Sequence, residues 1–131
     1  MSSFLKDHSV AMNQFDIIVP IPLHKARLRE RGYNQSQLLC ENISKEFRLQ
    51  QSVGNLIRKR PTKNQAFLKE KERWTNIEGA FTIKDSSQFS DKSVLIVDDL
   101  LTTGATASEA ARTLKRAGAK KVSVLTLAIT R

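Results

Sequence analysis

The C-terminal part of the chain contains the feature that most constrains its fold: a strand, a loop, a helix and a second strand. Val94–Val97 and Val122–Ile129 are continuous apolar runs. Between them, apolar residues recur at spacings of three and four, which predicts a helix over about 104–117 that Gly118 ends. Continuous apolar strands around a helix are typical of a parallel sheet covered on both faces. We therefore expect an α/β fold with a mainly parallel, twisted sheet that binds ligands at the carboxyl ends of its strands.

The first half of the chain carries weaker patterns of the same kind. Phe15–Pro20 is a short β-branched run that predicts a buried strand. A helix is predicted over roughly 34–49, where apolar residues recur every four positions. Val53–Ile57 and Ala80–Ile83 are interpreted as two further short strands.

Length and composition limit the class of protein. A chain of 131 residues holds one domain with one core, and we expect that domain over 15–131, preceded by a leader or the remnant of a longer N-terminus over 1–14. The single cysteine excludes a disulfide framework and suits a reducing cytosol, so we expect a cytoplasmic protein. No apolar run is long enough for a membrane helix, so membrane insertion is not expected.

Positive charge is concentrated in two segments of the chain. The formal net charge is +9, from 22 basic and 13 acidic residues. Half of the basic residues lie within 25–31 and 58–73, where few acidic residues oppose them. Clusters of one sign favour an anionic partner such as a phosphate or a nucleic acid, although solubility alone could also explain the charge. The long polar stretch 58–76 is predicted to be either a functional loop or a disordered one.

The loop between the last strand pair combines acidic and phosphate-binding features. Asp98 and Asp99 follow the apolar strand, and a small, threonine-rich loop then enters the helix: Thr102, Thr103, Gly104, Ala105 and Thr106. A loop at a helix N-terminus can cradle a phosphate, and the preceding carboxylates suit sugar hydroxyls or Mg²⁺. The combination therefore fits a ribose 5-phosphate. Taken singly, the threonines could be helix caps and the aspartates a solvated turn.

Other phosphate-binding or acidic motifs fit less well. A receiver domain also follows its first strand with an acidic pair, but too few residues remain after Asp99 to complete it. Neither a P-loop motif nor a dinucleotide-binding glycine motif occurs.

The motif VLIVDDLLTTGAT resembles the phosphoribosyl-pyrophosphate (PRPP) binding motif of type I phosphoribosyltransferases over all of its thirteen positions. The segments VPIPLHKARLRERGYNQSQLL and RKRPTKNQAFLKEKERWTNIEGAF resemble the ComF family, whose members are linked to DNA uptake in competent bacteria. The resemblance covers about residues 15–130. It implies a type I phosphoribosyltransferase-like fold with a reduced or absent substrate-binding hood.

The resemblance assigns roles to residues in four groups. Asp98 and Asp99 would be catalytic, holding the ribose hydroxyls and Mg²⁺, and residues 102–106 would hold the 5-phosphate. The implied pyrophosphate group consists of Ile21, Pro22, Leu23, His24, Arg27, Arg29 and Arg31. Residues 58–76 would form a mobile flap whose closing contacts are Gln65, Arg73 and Asn76.

Three functions remain open at this stage. The resemblance implies Mg²⁺-dependent transfer of phosphoribosyl from PRPP to an unknown acceptor. A non-catalytic PRPP sensor in DNA uptake is the first alternative, and a single-stranded-DNA-binding adaptor is the second. A competence helicase is a further implied partner. ComF proteins commonly carry a cysteine-rich zinc ribbon, and this chain departs from that pattern because it has one cysteine.

Overall fold

The computed structural model describes residues 14–23, 28–30, 32–59, 77–101 and 104–129, and for 99–101 and 127–129 it describes the backbone alone. The predicted leader therefore lies outside the described residues except for Gln14, and so does most of the predicted flap.

In chain order the elements are β1 (Ile17–Pro20), α1 (Gln35–Phe47), β2 (Gln50–Gln51), β3 (Leu56–Arg58), β4 (Phe81–Ile83), a 3₁₀ helix (Ser86–Gln88), β5 (Ser93–Leu101), α2 (Ala105–Arg116) and β6 (Lys121–Ile129).

The main sheet has four parallel strands in the order β2-β1-β5-β6. Because neighbouring residues of a strand point to opposite faces, the apolar strands divide between two cores. On one face Ile18, Leu95 and Val97 pack with Cys40 and Ile43 of α1. The opposite face packs against α2, as in the contact cluster that contains Ile17, Val19, Ile96, Ala110 and Leu114. This arrangement confirms the predicted parallel sheet with helices on both faces.

The two helices begin and end for identifiable local reasons. The Asn34 side chain accepts a hydrogen bond from the Ser36 N–H at the start of α1, and Arg48 ends that helix with φ 55°. At the end of α2, Gly118 has φ 103°, its N–H donates to Lys115, and the Ala119 N–H donates to Leu114. These two bonds form a Schellman motif, which confirms that Gly118 ends the helix.

The predicted strand Val53–Ile57 is wrong in its bounds. Gln50–Gln51 forms β2 at the edge of the main sheet, and the chain then leaves that sheet to form β3. The break has a physical cause, because Gly54 adopts φ 88° and the buried Asn55 is bonded to the segment around Asp85. β3 pairs antiparallel with β4, which lies one residue inside the predicted Ala80–Ile83.

Within the described ranges, no helix has the length and apolar character needed to cross a membrane.

Candidate active site

The candidate site lies at the carboxyl edge of the sheet, where β1 ends beside β5. From β1 the chain passes through α1 to β2 on one side, whereas from β5 it passes through α2 to β6 on the other. The two helices cover opposite faces, so the ends of the two central strands form the switch point at which a ligand-binding crevice is expected in such sheets. Parallel sheets bind ligands at this kind of switch point.

Strand β5 continues past the end of β1 into the acidic motif. Pro20 pairs with Val97, but β5 runs on to Leu101 because β6 continues to offer a partner as far as Ile129. The sequence predicted that the strand ends at Val97 and that the aspartates follow it, so this boundary is wrong by four residues. Asp98 is thus a strand residue, paired with Thr126 and buried, with 7% of its surface exposed.

The turn after β1 is tied to both neighbouring elements. The Ile21 N–H donates to the Val97 carbonyl oxygen at 2.9 Å, which links the turn to β5. The Ile21 carbonyl oxygen accepts from Asn34 Nδ2 at 3.0 Å, which links the turn to the start of α1. Ile21 is buried, and Pro22 and Leu23 are half-buried, so this part of the predicted pyrophosphate group is described in full.

Asn34 is a residue that the sequence analysis did not assign to the site. Its Oδ1 accepts from the Ser36 N–H at 3.0 Å while its Nδ2 holds Ile21, so one amide serves two partners. A signal was available, since asparagine before an apolar helical pattern is a preferred cap. That signal predicts only the capping bond, because the bond to Ile21 depends on the tertiary fold.

Helix α2 begins at the threonine-rich loop with a glycine at its cap. Gly104 has φ 85°, a conformation that favours glycine, and it supplies no side-chain cap. The cap position of α2 is therefore occupied by this glycine and not by one of the threonines of the loop. Ala105 is buried and Thr106 half-buried in the first turn, so the described end of the predicted phosphate loop lies after β5, beside the crevice.

The remaining predicted site residues divide between described and undescribed parts of the chain. Arg29 is exposed in a short helical segment. The side chain of Asp99 lies outside the described residues. So do the other predicted site residues, which are His24, Arg27, Arg31, Gln65, Arg73, Asn76, Thr102 and Thr103.

A described stem joins the start of the predicted flap segment to the part of the chain that follows it. Arg58 lies opposite Phe81 in the β3–β4 pair, with its guanidinium carbon 5.1 Å from the ring centre, and the Lys59 N–H donates to the Ala80 carbonyl at 2.8 Å. The buried Glu109 of α2 accepts from the Gly79 N–H at 3.2 Å. The stem is therefore fixed to α2, the helix that begins at the candidate site.

A cavity of about 250 Å³ lies on the other side of β1 from Asp98. Its lining comes from the end of β1, the turn after it, α1 and the β2–β3 connection, and is mostly apolar. The polar lining residues are Asn34, Gln37 and Ser52. β5 contributes none of the lining, whereas Pro22 and Leu23 belong to the turn after β1, so the cavity adjoins the candidate site at that turn.

The two residues that the resemblance assigns to Mg²⁺ are both carboxylates, the residue type that this ion prefers. Mg²⁺ is usually bound by one or two carboxylates together with substrate phosphates and water. Asp98 and Asp99 are adjacent carboxylate residues in β5. Among the described residues, no group of three or more histidine, cysteine, aspartate or glutamate side chains could hold a metal. The candidate residues for holding Mg²⁺ are the two aspartates that the sequence motif provides.

Comparison with known proteins agrees with this geometry. The fold and the position of the crevice define a type I phosphoribosyltransferase-like protein. Residues 35–131 match the family model described as Phosphoribosyl transferase domain, and the chain belongs to that family. A purine phosphoribosyltransferase from Pyrococcus horikoshii Ot3 has a similar structure, with a TM-score of 0.57 at 21% identity over 96% of this chain and 69% of that one. At this identity the likeness shows the fold alone.

Curated relatives confirm the resemblance to ComF proteins. The chain is 41% identical to "Competence protein ComFC" of Bacillus subtilis, over 85% of this chain and 43% of that protein. It is 39% identical to "DNA utilization protein YhgH" of Escherichia coli, over 83% and 47%. "Competence protein F" of Haemophilus influenzae is 33% identical, over 86% and 50%. The chain spans about half the length of these relatives.

Proposed function

We propose that this chain binds PRPP together with Mg²⁺ at the crevice between β1 and β5 and transfers its phosphoribosyl group to an acceptor. The observation that supports the proposal is the convergence of three features at one carboxyl edge. These are the turn after β1, the buried Asp98 in β5 and the glycine-capped start of α2. Membership of the phosphoribosyltransferase domain family makes a ribose phosphate the expected ligand class.

In this proposal each part of the site binds one part of PRPP. The loop 102–106 binds the 5-phosphate, Asp98 and Asp99 bind the ribose hydroxyls, and the turn 21–24 binds pyrophosphate with help from nearby arginines. Mg²⁺, when bound, neutralises part of the pyrophosphate charge. The flap role of residues 58–76 belongs to the same proposal.

The proposed reaction is a substitution at the anomeric carbon of the ribose. The bond from that carbon to a pyrophosphate oxygen breaks, and a bond to the acceptor forms. The acceptor's proton passes to water, and pyrophosphate leaves with the bonding electron pair. Positive charge develops on the sugar as the bond breaks, and carboxylates close to it stabilise that charge. No side-chain nucleophile is needed, so the residues act by binding and by charge.

Calorimetric titration with PRPP and Mg²⁺ tests the site directly. We expect saturable binding to the wild type, and affinity about tenfold or more lower in both Asp98→Asn and Asp99→Asn, because each loses a charged hydrogen-bond acceptor. Asp91→Asn is the matched control: it also removes one negative charge, but at an exposed turn before β5 with φ 59°, which asparagine tolerates.

Two results would contradict the proposal. The first is the absence of saturable heat with a folded wild-type protein. The second is an equal loss of affinity in Asp91→Asn, which would mean that net charge rather than the named crevice controls binding.

A second candidate function is binding of single-stranded DNA in DNA uptake, with or without PRPP turnover. It is favoured by the relatives named for competence and DNA utilization and by the net charge of +9. The exposed Arg29 lies in one of the two basic segments. In this version the chain acts in the cytoplasm as an adaptor, with a competence helicase as a candidate partner.

A further inference from the structure

Two hydrogen bonds hold Ile21, the first residue of the turn that follows β1. The Ile21 N–H is held by Val97 of β5 at 2.9 Å, and the Ile21 carbonyl is held by Asn34 at 3.0 Å. Prolines flank Ile21 on both sides and provide no N–H of their own. The hydrogen bond from the Asn34 side chain therefore orients the Ile21 carbonyl, and with it the start of the turn, relative to α1.

We propose that Asn34 is a positioning residue for the pyrophosphate half of PRPP. This inference rests on the proposed function, in which the turn 21–24 binds pyrophosphate. Asn34 acts through the Ile21 carbonyl: its amide fixes the plane of the peptide that leads into Pro22 and Leu23. A group that fixes the geometry of a binding turn lowers the conformational cost of ligand binding.

A purely structural role for Asn34 predicts something different. If the residue only caps α1, any good cap should replace it, and serine caps a helix about as well as asparagine. Serine is too short to cap Ser36 and reach Ile21 together, so Asn34→Ser keeps the cap and removes the link. Asn34→Asp keeps the shape and the capping oxygen, but it has no N–H to donate to the Ile21 carbonyl.

The added charge of Asn34→Asp requires its own control. Gln37→Glu adds the same charge within the first turn of α1, three residues further on, and leaves both bonds of Asn34 intact. The Gln37 amide contacts Glu41 at 3.5 Å, a long bond whose loss should matter little.

The experiment measures the affinity of each full-length variant for three probes in the presence of Mg²⁺: PRPP, inorganic pyrophosphate and ribose 5-phosphate. Thermal unfolding of each variant is recorded alongside. We expect Asn34→Ser and Asn34→Asp to bind PRPP and pyrophosphate about three- to tenfold more weakly, the range of one net hydrogen bond. Ribose 5-phosphate affinity should stay within about twofold in both variants, since its contacts lie at the other end of the crevice.

The outcomes separate the inference from the function on which it rests. Weaker pyrophosphate binding by both Asn34 variants, with Gln37→Glu unchanged, supports the positioning role. Unchanged PRPP affinity in Asn34→Ser, or an equal loss for ribose 5-phosphate, overturns it while the proposed function stands. If the wild type binds neither PRPP nor pyrophosphate, the proposed function itself fails. Should Asn34→Asp not fold, Asn34→Ser alone decides between these outcomes.

Discussion

At the scale of single residues, the burial of Cys40 against the sheet controls the reactivity of its thiol. Its thiol lies on α1 between the helix and the sheet, fully buried beside Ile18 and Ile43. Burial and, to a lesser extent, the nearby Glu41 carboxylate together raise the pKa of this thiol to about 12. A thiol is nucleophilic only as the thiolate, so Cys40 is inert in the folded protein at neutral pH.

The raised pKa of Cys40 predicts a specific pH dependence of stability. The folded protein holds the thiol proton more tightly than the unfolded chain does, whose thiol has a pKa of 9.0. The contribution of the Cys40 thiol to the free energy of unfolding is therefore constant below pH 9. It is lost as pH rises from 9 toward 12, by about 1.4 kcal/mol per pH unit. Urea unfolding at pH 7.5 and 10.5 should show this loss in the wild type and a smaller one in Cys40→Ala.

A second measurement checks the same residue at neutral pH. Alkylation of Cys40 by iodoacetamide should occur only after unfolding, so rapid labelling of the folded protein would contradict its burial. Equal alkaline losses in the wild type and Cys40→Ala would show that other groups dominate above pH 9.

At the scale of elements, the stem of β3 and β4 depends on one buried carboxylate. Glu109 is 6% exposed and bonds the Gly79 N–H, whereas its partner Arg112 lies 3.6 Å away with half of its side chain exposed. The bond to Gly79 joins α2 to the segment just before β4. Exposed ion pairs contribute little, so the backbone bond should provide most of the stabilisation.

Replacing Glu109 should separate these two contributions. Glu109→Ala is expected to lower the free energy of unfolding by about 1–2 kcal/mol, because it removes a charged hydrogen bond and buried packing. Glu109→Gln retains an acceptor and should lose less than half of that amount. Arg112→Ala, which removes the ion pair alone, should stay within about 0.5 kcal/mol in urea unfolding. A loss in Arg112→Ala as large as in Glu109→Ala would contradict this assignment.

Elements with strong periodic patterns could be predicted from the sequence, and those decided by tertiary pairing could not. Helix α2 matches its predicted range to within one residue at each end, since alanines at helical spacing and Gly118 are local signals. The extension of β5 through Asp98 was missed because aspartate favours turns and disfavours strands, so the local sequence gives no reason for a strand there. It forms because β6 pairs with it. The bond from Asn34 to Ile21 was missed for the same reason, since it joins residues 13 positions apart.

At the scale of the whole molecule, the net charge of +9 should govern any binding of single-stranded DNA. We expect log affinity to fall linearly with log salt, by about 0.7 per phosphate contacted. Arg29→Ala should reduce that slope by about 0.7, because Arg29 is exposed in a basic segment. Lys45→Ala removes the same charge from the last turn of α1 and should leave the slope unchanged.

Fluorescence anisotropy with a labelled oligonucleotide over a range of salt concentrations provides this measurement. Equal slopes for Arg29→Ala and the wild type would exclude Arg29 from the DNA-binding surface. A slope near zero for the wild type would remove the DNA-binding candidate altogether.

The pairing of β1 with β5 has a consequence for biosynthesis. It joins residues far apart in the chain, as the bond between Asp16 and Ser93 across 77 positions illustrates. During translation, β1, α1 and β2 leave the ribosome well before β5 has been made. The edge of β1 that pairs with β5 therefore stays unpaired while some forty further residues are added after β2. A nascent chain interrupted before β5 has no crevice and exposes an apolar strand edge. The edge of the sheet that carries the candidate site is therefore completed only when β5 and α2 have emerged. Under the proposed function, the chain gains its binding site only at that point of translation.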